Sequence, residues 1–282
     1  MSLSIIPSEA TLGASVGNVN LKTLSSKDWN QIEKAFLEYA VLVFRKQHLN
    51  SGEQTTFAEL FGEIELLTTD KRLKTIQLSN INTDGTLMNS EDHHIQVLRG
   101  NEGWHTDSSY MTLSSKAGIL SAQQIPSNGG ETEWADMRSA YDSLDKKTKN
   151  FIQDLSAHHS LFYSQKKIGH KAQEGASYGF HDGKPPLRPL IKKHPDSGKN
   201  SLYIGRHAYN IPGLTDSKSE ELLEYLVNFA CQPPRIFRHN WEVGDLVIWD
   251  NRCLLHRALP YNHKEARVML ATRIAGDPAS ES

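Results

Sequence analysis

Three side chains of this sequence could together hold a metal ion, and two of them lie in the short stretch WHTDSSY at 104–110. His105 and Asp107 are one residue apart in a stretch with no helical pattern. In an extended chain, residues i and i+2 point to the same side, with Cα atoms about 6.6 Å apart. An imidazole and a carboxylate can therefore converge on one ion. We interpret this stretch as a strand that presents two metal ligands, and the rest of the chain must supply a third.

His256 is the candidate that we favour for the third ligand among the 13 histidines of the chain. It follows the apolar run 253–255, which predicts a buried strand, and a buried imidazole needs a partner because burying an unpaired polar group is costly. With His105 and Asp107 it would form a set of two histidines and one carboxylate that leaves coordination positions open. Such a set is typical of non-haem Fe(II) oxygenases. Zinc accepts the same ligands, so the set alone leaves the metal open.

Arg267 favours iron, because it suits the co-substrate of the largest class of ferrous oxygenases. These enzymes use 2-oxoglutarate together with O₂, and the far carboxylate of 2-oxoglutarate must be held by a cation. Arg267 comes eleven residues after His256, next to the mostly apolar run 268–271. Its planar fork can make two parallel hydrogen bonds to a carboxylate. Thr132, in GGETEWADM at 129–137, could donate a hydroxyl to the same carboxylate.

The elements that must position these side chains are mostly short strands. Helical spacing is clear only in a segment that Ser25 can cap and in the segments at 51–62 and 216–230. Strand patterns recur at 41–45, 74–80, 117–125, 201–205, 235–241, 245–250, 253–258 and 266–274. Many short strands with few helices predict a mainly β fold with flanking helices, namely a β-sandwich or jelly roll with a cavity between its sheets. No repeat or flexible linker divides the chain, so we expect a single domain over 1–282.

Composition limits the partners of the protein. The 282 residues carry a formal charge of −2, and the basic pairs are scattered among acidic residues, which argues against nucleic acid as a partner. The first 13 residues lack a basic and apolar leader pattern, and no apolar run is long enough to span a membrane. Cys231 and Cys253 are the only two cysteines, which fits a reducing compartment. We expect a soluble cytoplasmic protein that does not bind membranes.

Four blocks of the sequence together resemble the taurine dioxygenase family, nearest to its 2,4-dichlorophenoxyacetate dioxygenase branch. The blocks are WHTDSSY, NGGETEWADMRSAYDSL (128–144), HPDSGKNSLYIG (194–205) and VGDLVIWDNRCLLHRA (243–258). The resemblance runs from Ile5 to Asp277, and it implies a double-stranded β-helix, the jelly roll of this family. It also implies Fe(II) on His105, Asp107 and His256, and 2-oxoglutarate on Thr132 and Arg267.

The same resemblance implies the reaction. The protein would hydroxylate an aliphatic C–H group of a small to medium organic substrate, consuming O₂ and 2-oxoglutarate and releasing succinate and CO₂. In this branch the hydroxylated carbon often bears a heteroatom, so the product can collapse to an aldehyde or keto compound. Asn101 and Trp249 would lie near the active site. We also expect a homo-oligomer, either a dimer or a tetramer.

Two other classes of protein stay open at this point. A zinc-dependent jelly-roll hydrolase or isomerase would need no 2-oxoglutarate. A sensor would bind 2-oxoglutarate without consuming O₂. Succinate release with and without Fe(II) separates these classes from an oxygenase.

The position four residues after Arg267 departs from the family pattern. Sulfonate and phenoxyacetate enzymes have there a second arginine that holds the anionic group of the substrate, whereas this chain has Ala271. Taurine and simple phenoxyacetates are therefore doubtful substrates, and a bulkier molecule or a displaced anionic group is expected. Arg273 and Arg206 are the two arginines that could hold such a group.

The polar segment 162–189, rich in glycine and proline, predicts a long loop. Long loops beside a site are often lids. We expect this segment to close over the substrate, with a disordered surface excursion as the alternative.

Overall fold

The computed structural model describes residues 2–282 of the chain. Within that range the strands are β1 (Ser4–Pro7), β2 (Ala14–Gly17), β3 (Val41–Phe44), β4 (Ile64–Glu65), β5 (Ile76–Ser79), β6 (Ser115–Gln124), β7 (Thr132–Asp136), β8 (Ser156–His159), β9 (Leu187–Pro189), β10 (Ile191–Lys193), β11 (Asn200–Leu202), β12 (Ala208–Tyr209), β13 (Ile236–His239), β14 (Leu246–Asp250), β15 (Leu254–Ala258) and β16 (Val268–Ala275). The helices are α1 (Ser26–Tyr39), α2 (Ser51–Glu59), α3 (His93–Gly100), α4 (Met137–Ser143), α5 (Lys146–Ile152), α6 (Leu161–Lys167), α7 (Asp216–Ala230) and α8 (Pro278–Glu281). None of the helices described is both long and apolar enough to cross a membrane.

Two β-sheets form the walls of a jelly roll. The larger has the order β1-β2-β3-β14-β6-β16-β4, with β5 also paired to β16, and only the β2–β3 pairing in it is parallel. The smaller has the order β13-β7-β15 and is antiparallel. The predicted mainly β fold with flanking helices is confirmed.

Alternation along β14 shows how the layers are held together. Leu246 and Ile248 point to the outer face of the larger sheet, where they join the apolar cluster of α1 and α2. Val247 and Trp249 point inward and pack in a second cluster with Trp134 of the smaller sheet. Because successive strand residues face opposite sides, a strand buried on both faces must be apolar throughout. The space between the two sheets is therefore the interior of the molecule.

The outer face of the smaller sheet is covered by α4 and α7. Ala135 of β7 and Leu255 of β15 lie in one buried cluster with Leu223 and Leu226 of α7. Since Leu255 points outward, its neighbour His256 points into the space between the sheets. The apolar run before His256 therefore has the role that the sequence predicted, since it anchors the strand that carries the histidine.

The three predicted helices are present, with caps that fix where they begin. Ser25 accepts a hydrogen bond from the backbone N–H of Asp28 at 3.1 Å, which confirms it as the N-cap of α1. Asn50 and Glu53 form a reciprocal capping box at the start of α2. The predicted helix at 51–62 ends three residues early, because α2 stops at Glu59.

Several elements differ from the prediction. The helices α3, α4, α5, α6 and α8 and the strand β7, which carries Thr132, have no counterpart among the predicted elements. Each is ten residues or fewer in length, too short for periodicity to stand out. The predicted strand at 201–205 is real only at its start, since β11 ends at Leu202.

His159, at the end of β8, is a buried histidine whose two ring nitrogens lack hydrogen-bond partners among residues 2–282. Burial lowers the pKa of His159 to about 3, and the charges of Arg188 and Lys192 act in the same direction. An unfolded chain takes up this proton near pH 6.5, whereas the folded protein resists it. The free energy of unfolding should therefore decrease as the pH falls from about 6.5 toward about 3.

Replacing His159 should flatten that dependence. His159→Phe keeps a ring stacked on Tyr203, which lies 5.5 Å away between ring centroids. Between pH 7 and pH 5, the free energy of unfolding of the variant should fall by about 2 kcal/mol less than that of the native protein. The reason is that the variant has no imidazole at this position to take up a proton on unfolding. Urea unfolding at both pH values measures the difference. An equal loss in the two proteins would show that His159 is not a source of the acid sensitivity.

Candidate metal centre and active-site cavity

His105 and His256 are brought together by a two-residue antiparallel bridge. The backbone N–H of His105 donates to the carbonyl of His256 at 3.0 Å, and the N–H of His256 donates to the carbonyl of His105 at 2.8 Å. Residues paired in this way carry their side chains on the same side of the sheet. The two imidazole centroids are accordingly 4.1 Å apart.

Asp107 reaches the same point by a turn. The sequence predicted one strand for His105 and Asp107, but only His105 is in a bridge, and the chain turns at Asp107 with Ser108 at φ 56°. Asp107 Oδ2 nevertheless lies 3.7 Å from His256 Nε2. The three side chains are buried, and their candidate ligand atoms all lie within 4.8 Å of one another. The structure brings the three side chains together through a turn rather than a strand, and their role as metal ligands stays a prediction.

The two rings are oriented by their surroundings. His105 Nδ1 is 2.8 Å from the carbonyl of Gly103, and because a carbonyl only accepts, Nδ1 carries the proton and the lone pair is on Nε2. This arrangement is common for metal-binding histidines. The ring of His256 packs beside Trp249, 4.8 Å away between centroids. Trp249 is in turn fixed by its indole N–H, which donates to Asn251 at 2.9 Å.

The protonation states suit a divalent metal. Burial lowers the pKa of His256 to about 4 and places the pKa of His105 well below its ordinary value. Burial by itself would raise the pKa of Asp107, but Arg273 and the two histidines hold it below the usual value. Near neutral pH the site therefore offers two neutral imidazoles and one carboxylate, the forms that bind metal.

A second cluster, formed by His194, Asp250 and Cys253, is also compact and buried. Its groups already have partners within the protein. Asp250 accepts two hydrogen bonds from the guanidinium of Arg252, at 2.8 and 2.7 Å, one from the backbone N–H of Arg252 at 3.0 Å and one from His194 at 3.0 Å. Burial raises the pKa of the Cys253 thiol well above its ordinary value, so this thiol stays protonated. We interpret this cluster as structural.

Arg267 and Thr132 lie in the cavity that the three candidate ligands also line. Burial lowers the pKa of Arg267, and its Nε has no hydrogen-bond partner among residues 2–282. Within residues 2–282, the guanidinium group makes one hydrogen bond, to the carbonyl of Gly130 at 3.3 Å. A Cβ at Gly130, where φ is 76°, would come within 3.2 Å of Arg267 Nε. A guanidinium in this position, without a carboxylate, is suited to an anionic ligand.

Two aromatic residues that the sequence analysis passed over hold this pair in place. Trp241 donates its indole N–H to the hydroxyl oxygen of Thr132 at 3.0 Å, so the hydroxyl proton of Thr132 is available to another acceptor. The ring of Tyr261 lies 5.6 Å from Arg267 Cζ. Tyr261 is in the loop after β15, six residues before Arg267. This proximity in the sequence to the predicted 2-oxoglutarate arginine was the available signal.

The remaining wall of the cavity is mostly apolar. Asn101, the residue that ends α3, and Ala271 both line it, as the sequence predicted for residues near the substrate. Ala271 lies with Met269 in the interior cluster, and the register of β16 against β6 shifts just before them, between Val268 and Met269. The apolar residues of the wall include Leu67, Ile76, Leu78, Leu98, Ile119, Leu120 and Leu259, and Glu102 and His263 also line the cavity.

The two arginines considered as substrate anchors both have other partners. Arg206 does not line this cavity, and its guanidinium donates to the carbonyls of Gly100 and Ser164, at 2.5 and 2.8 Å. Burial lowers the pKa of Arg206 to about 10. Arg273 does line the cavity, but it donates to Asp107 Oδ1 at 2.5 Å. Both arginines therefore already hydrogen-bond to the protein, Arg206 outside the cavity and Arg273 at its wall.

The jelly roll, the two histidines with one carboxylate and the unpaired arginine together define a class, the Fe(II)- and 2-oxoglutarate-dependent dioxygenases. The family described as taurine catabolism dioxygenase TauD, TfdA matches residues 4–273, and the chain belongs to it.

Three similar proteins make the assignment more specific. The (S)-phenoxypropionate/alpha-ketoglutarate-dioxygenase of Sphingobium herbicidovorans is 49% identical over 287 residues, covering 100% of this chain and 98% of the relative. The alpha-ketoglutarate-dependent 2,4-dichlorophenoxyacetate dioxygenase of Cupriavidus pinatubonensis is 35% identical over 272 residues, covering 93% of this chain and 94% of the relative. The crystal structure of AAD-2 in complex with Mn(II) and N-oxalylglycine superposes with a TM-score of 0.89 at 34% identity, covering 98% of each chain.

The protein is therefore an oxidoreductase that uses Fe(II), 2-oxoglutarate and O₂ to act on a small molecule. The relatives support this assignment over a 2-oxoglutarate sensor and over a zinc-dependent hydrolase or isomerase. The residues present suit both the metal and the co-substrate. The three candidate ligands match ferrous iron, and Arg267 has no carboxylate partner among residues 2–282.

Proposed function

We propose that the protein hydroxylates a 2-aryloxypropionate at the carbon that bears the ether oxygen. The substrate, 2-oxoglutarate and O₂ would give the hydroxylated ether, succinate and CO₂. The new hydroxyl group sits on a carbon that also carries the aryloxy group, so this product breaks its C–O bond and releases a phenol and pyruvate. The relatives named for phenoxypropionate and 2,4-dichlorophenoxyacetate make aryloxyalkanoates the first class to test.

The observation that carries this proposal is the composition of the cavity. Its metal-binding end is polar, whereas its wall is lined by leucine and isoleucine side chains that can bury an aromatic ring. Ala271 leaves room where a larger residue would project, and a propionate needs that room because it carries one methyl group more than an acetate. Asn101 offers an amide to the polar end of the substrate.

The protein groups have separate tasks in the reaction. His105, Asp107 and His256 would hold Fe(II), while Arg267 and Thr132 would hold the far carboxylate of 2-oxoglutarate. Bound Fe(II), together with 2-oxoglutarate and O₂, would supply the oxidant that converts the C–H bond to C–OH. The protein itself keeps the imidazoles neutral, excludes water by means of the apolar wall and orients the target carbon.

The proposal also covers the domain organisation of the chain and a lid over the active site. Residues 1–282 act as one domain, and segment 162–189 serves as a lid. The geometry that supports a lid is the burial of Phe180 against Tyr110 and Leu161 and the placement of Tyr178 next to Arg273. A homo-oligomer, a cytoplasmic location and the absence of nucleic-acid and membrane partners stay predictions.

A panel of candidate substrates tests the function. Succinate would be measured with both enantiomers of 2-phenoxypropionate, with phenoxyacetate and with taurine, each with and without Fe(II). We expect Fe(II)-dependent succinate release matched by an equal amount of phenol for a phenoxypropionate, and little above the substrate-free background for taurine. Efficient turnover of taurine, or no release above background with any aryloxyalkanoate, would contradict the proposal.

Substitution at Ala271 should shift the preference between these substrates. Ala271→Arg places a guanidinium on the cavity wall four residues after Arg267, where it can pair with a short anionic substrate. A charge-assisted hydrogen bond contributes about 1.5–3 kcal/mol, so kcat/KM for phenoxyacetate relative to 2-phenoxypropionate should rise by about tenfold or more. Competition between the two substrates in one reaction measures this ratio.

The matched control is Ala271→Met, which adds a side chain of similar length without charge. It should reduce turnover of both substrates and leave phenoxyacetate without the gain. If Ala271→Arg and Ala271→Met behave alike, size rather than charge governs this position.

A further inference from the structure

We propose that Arg273 is a positioning residue, which holds the carboxylate of Asp107 in its ligand orientation and links it to the docking of segment 162–189 through Tyr178. This inference rests on the proposed function, because it takes Asp107 to be a ligand of the iron.

The first support is that Arg273 bonds only one of the two carboxylate oxygens of Asp107. Arg273 Nη2 donates to Asp107 Oδ1 at 2.5 Å, while Oδ2 lies on the side of His256, 3.7 Å from its Nε2. One oxygen is thus fixed by the protein and the other is left for the metal. Outer partners of this kind set the orientation of metal ligands. Arg273 Nη1 also donates to Ser108 Oγ at 3.2 Å, which ties the guanidinium to the turn that carries Asp107.

The second support is the set of groups on the other side of Arg273. Glu65 of β4 lies opposite Arg273 in the pairing of β4 with β16. The phenol of Tyr178 is hydrogen-bonded to Glu65 Oε1, and its oxygen lies 3.2 Å from Ser108 Oγ. The Tyr178 ring is 5.7 Å from Arg273 Cζ. Tyr178 therefore contacts the guanidinium and two of the groups around it.

Tyr178 belongs to segment 162–189, so these contacts join the segment to the metal site. When the segment is docked, the Tyr178 ring lies next to the guanidinium of Arg273, and its hydroxyl engages Glu65, the residue opposite Arg273 on β4. Arg273 then has fewer alternatives to its bond with Asp107. If docking of the segment favours the ligand orientation, then binding of metal must favour docking by the same factor, because coupling between two equilibria is reciprocal.

The geometry also explains why arginine is suited to this position. The guanidinium bonds Asp107 with one nitrogen and Ser108 with another, and its Cζ lies over the ring of Tyr178. A lysine would keep the charge, but its single nitrogen cannot serve both oxygens with the same directions. Lysine should therefore restore part of the function and glutamine less of it.

Mn(II) binding to the metal-free, full-length protein tests the proposal without turnover. Affinity would be measured by electron paramagnetic resonance of free Mn(II) for the native protein, Arg273→Gln, Arg273→Lys, Tyr178→Phe and the control Tyr163→Phe. Tyr163 lies in the same segment but stacks on Tyr209. We expect Arg273→Gln to weaken Mn(II) binding by about tenfold or more, as for other residues that hydrogen-bond a metal ligand. Arg273→Lys should weaken binding less than Arg273→Gln. Tyr178→Phe should weaken binding by about threefold, which is less than the loss of such a hydrogen-bonding residue causes. Tyr163→Phe should bind as the native protein does.

Limited trypsin digestion gives the reciprocal readout. Mn(II) should slow cleavage after Lys166 and Lys171 in the native protein and in Tyr163→Phe, and this protection should be reduced in Tyr178→Phe. Protection that is unchanged in Tyr178→Phe would overturn the link to the segment, even if Arg273→Gln were too unstable to test.

A His256→Ala variant separates this inference from the proposed site. If His256→Ala binds Mn(II) like the native protein, the three-ligand site itself is wrong. If His256→Ala loses Mn(II) while Arg273→Gln and Arg273→Lys keep native affinity, the site stands and the positioning role of Arg273 is wrong.

Discussion

His256→Ala is expected to lose its bound iron. The substitution leaves two ligands, and it removes the ring that forms the side of the site next to Trp249. Loss of an outer partner costs a metal site about 10–100-fold in affinity, so loss of a ligand should lower Fe(II) affinity by more than about a hundredfold. Succinate release should fall to background with it. Anaerobic Fe(II) titration followed by metal analysis measures the affinity.

The second buried cluster offers a matched control for this prediction. His194→Gln removes a histidine that is also buried and lies 3.0 Å from a carboxylate oxygen of Asp250. Because Asp250 is already paired with Arg252, this variant should retain native iron content, even though it is less stable. Loss of iron in His194→Gln with retention in His256→Ala would mean that the metal lies in the other cluster.

Arg267→Met is expected to bind 2-oxoglutarate at least tenfold more weakly. The far carboxylate would be left in a desolvated pocket without its bidentate partner, and truncating one side of a buried charge pair costs about 2–5 kcal/mol. Fe(II) affinity should stay near the native value, since Arg267 is not among the candidate ligands. The concentration of 2-oxoglutarate at half-maximal succinate release, together with direct binding by calorimetry, measures the loss.

Arg257→Met is the control for Arg267→Met. Arg257 is on the strand that carries His256, but it pairs with Glu133 and stacks on Trp104. Glu133 keeps Arg238 as a second partner, so the substitution should leave 2-oxoglutarate affinity unchanged. Equal affinity in Arg267→Met and the native protein would remove Arg267 from the co-substrate site.

The meeting of His105, Asp107 and His256 could be predicted from the sequence because each residue type is unusual in its setting. A carboxylate two residues after a histidine, and a histidine after the apolar run 253–255, are local signals. Arg267 could be found because a charged residue precedes an apolar strand. These signals depend mainly on chemical type; strand alternation holds for His256 on β15, whereas Asp107 reaches the site through a turn.

The partners of the arginines could not be predicted in this way. The sequence offers Arg206 and Arg273 as two arginines that could hold a substrate anion, and both make other hydrogen bonds. The bond from Arg273 to Asp107 joins residues 166 positions apart, and the link to Tyr178 depends on how segment 162–189 packs. Local pattern carries no information about such pairings. The turn at Ser108 was missed for a similar reason, since its positive φ belongs to a residue that is not glycine.

The most direct test of the candidate site is the visible charge-transfer band of the anaerobic complex with Fe(II) and 2-oxoglutarate. This band requires that the iron be held by the protein and that the keto acid bind next to it. We predict that the native protein shows the band, that His256→Ala does not show it, and that Arg267→Met shows it only at 2-oxoglutarate concentrations at least tenfold higher. A native protein without the band, or a His256→Ala variant that retains it unchanged, would contradict the site described here.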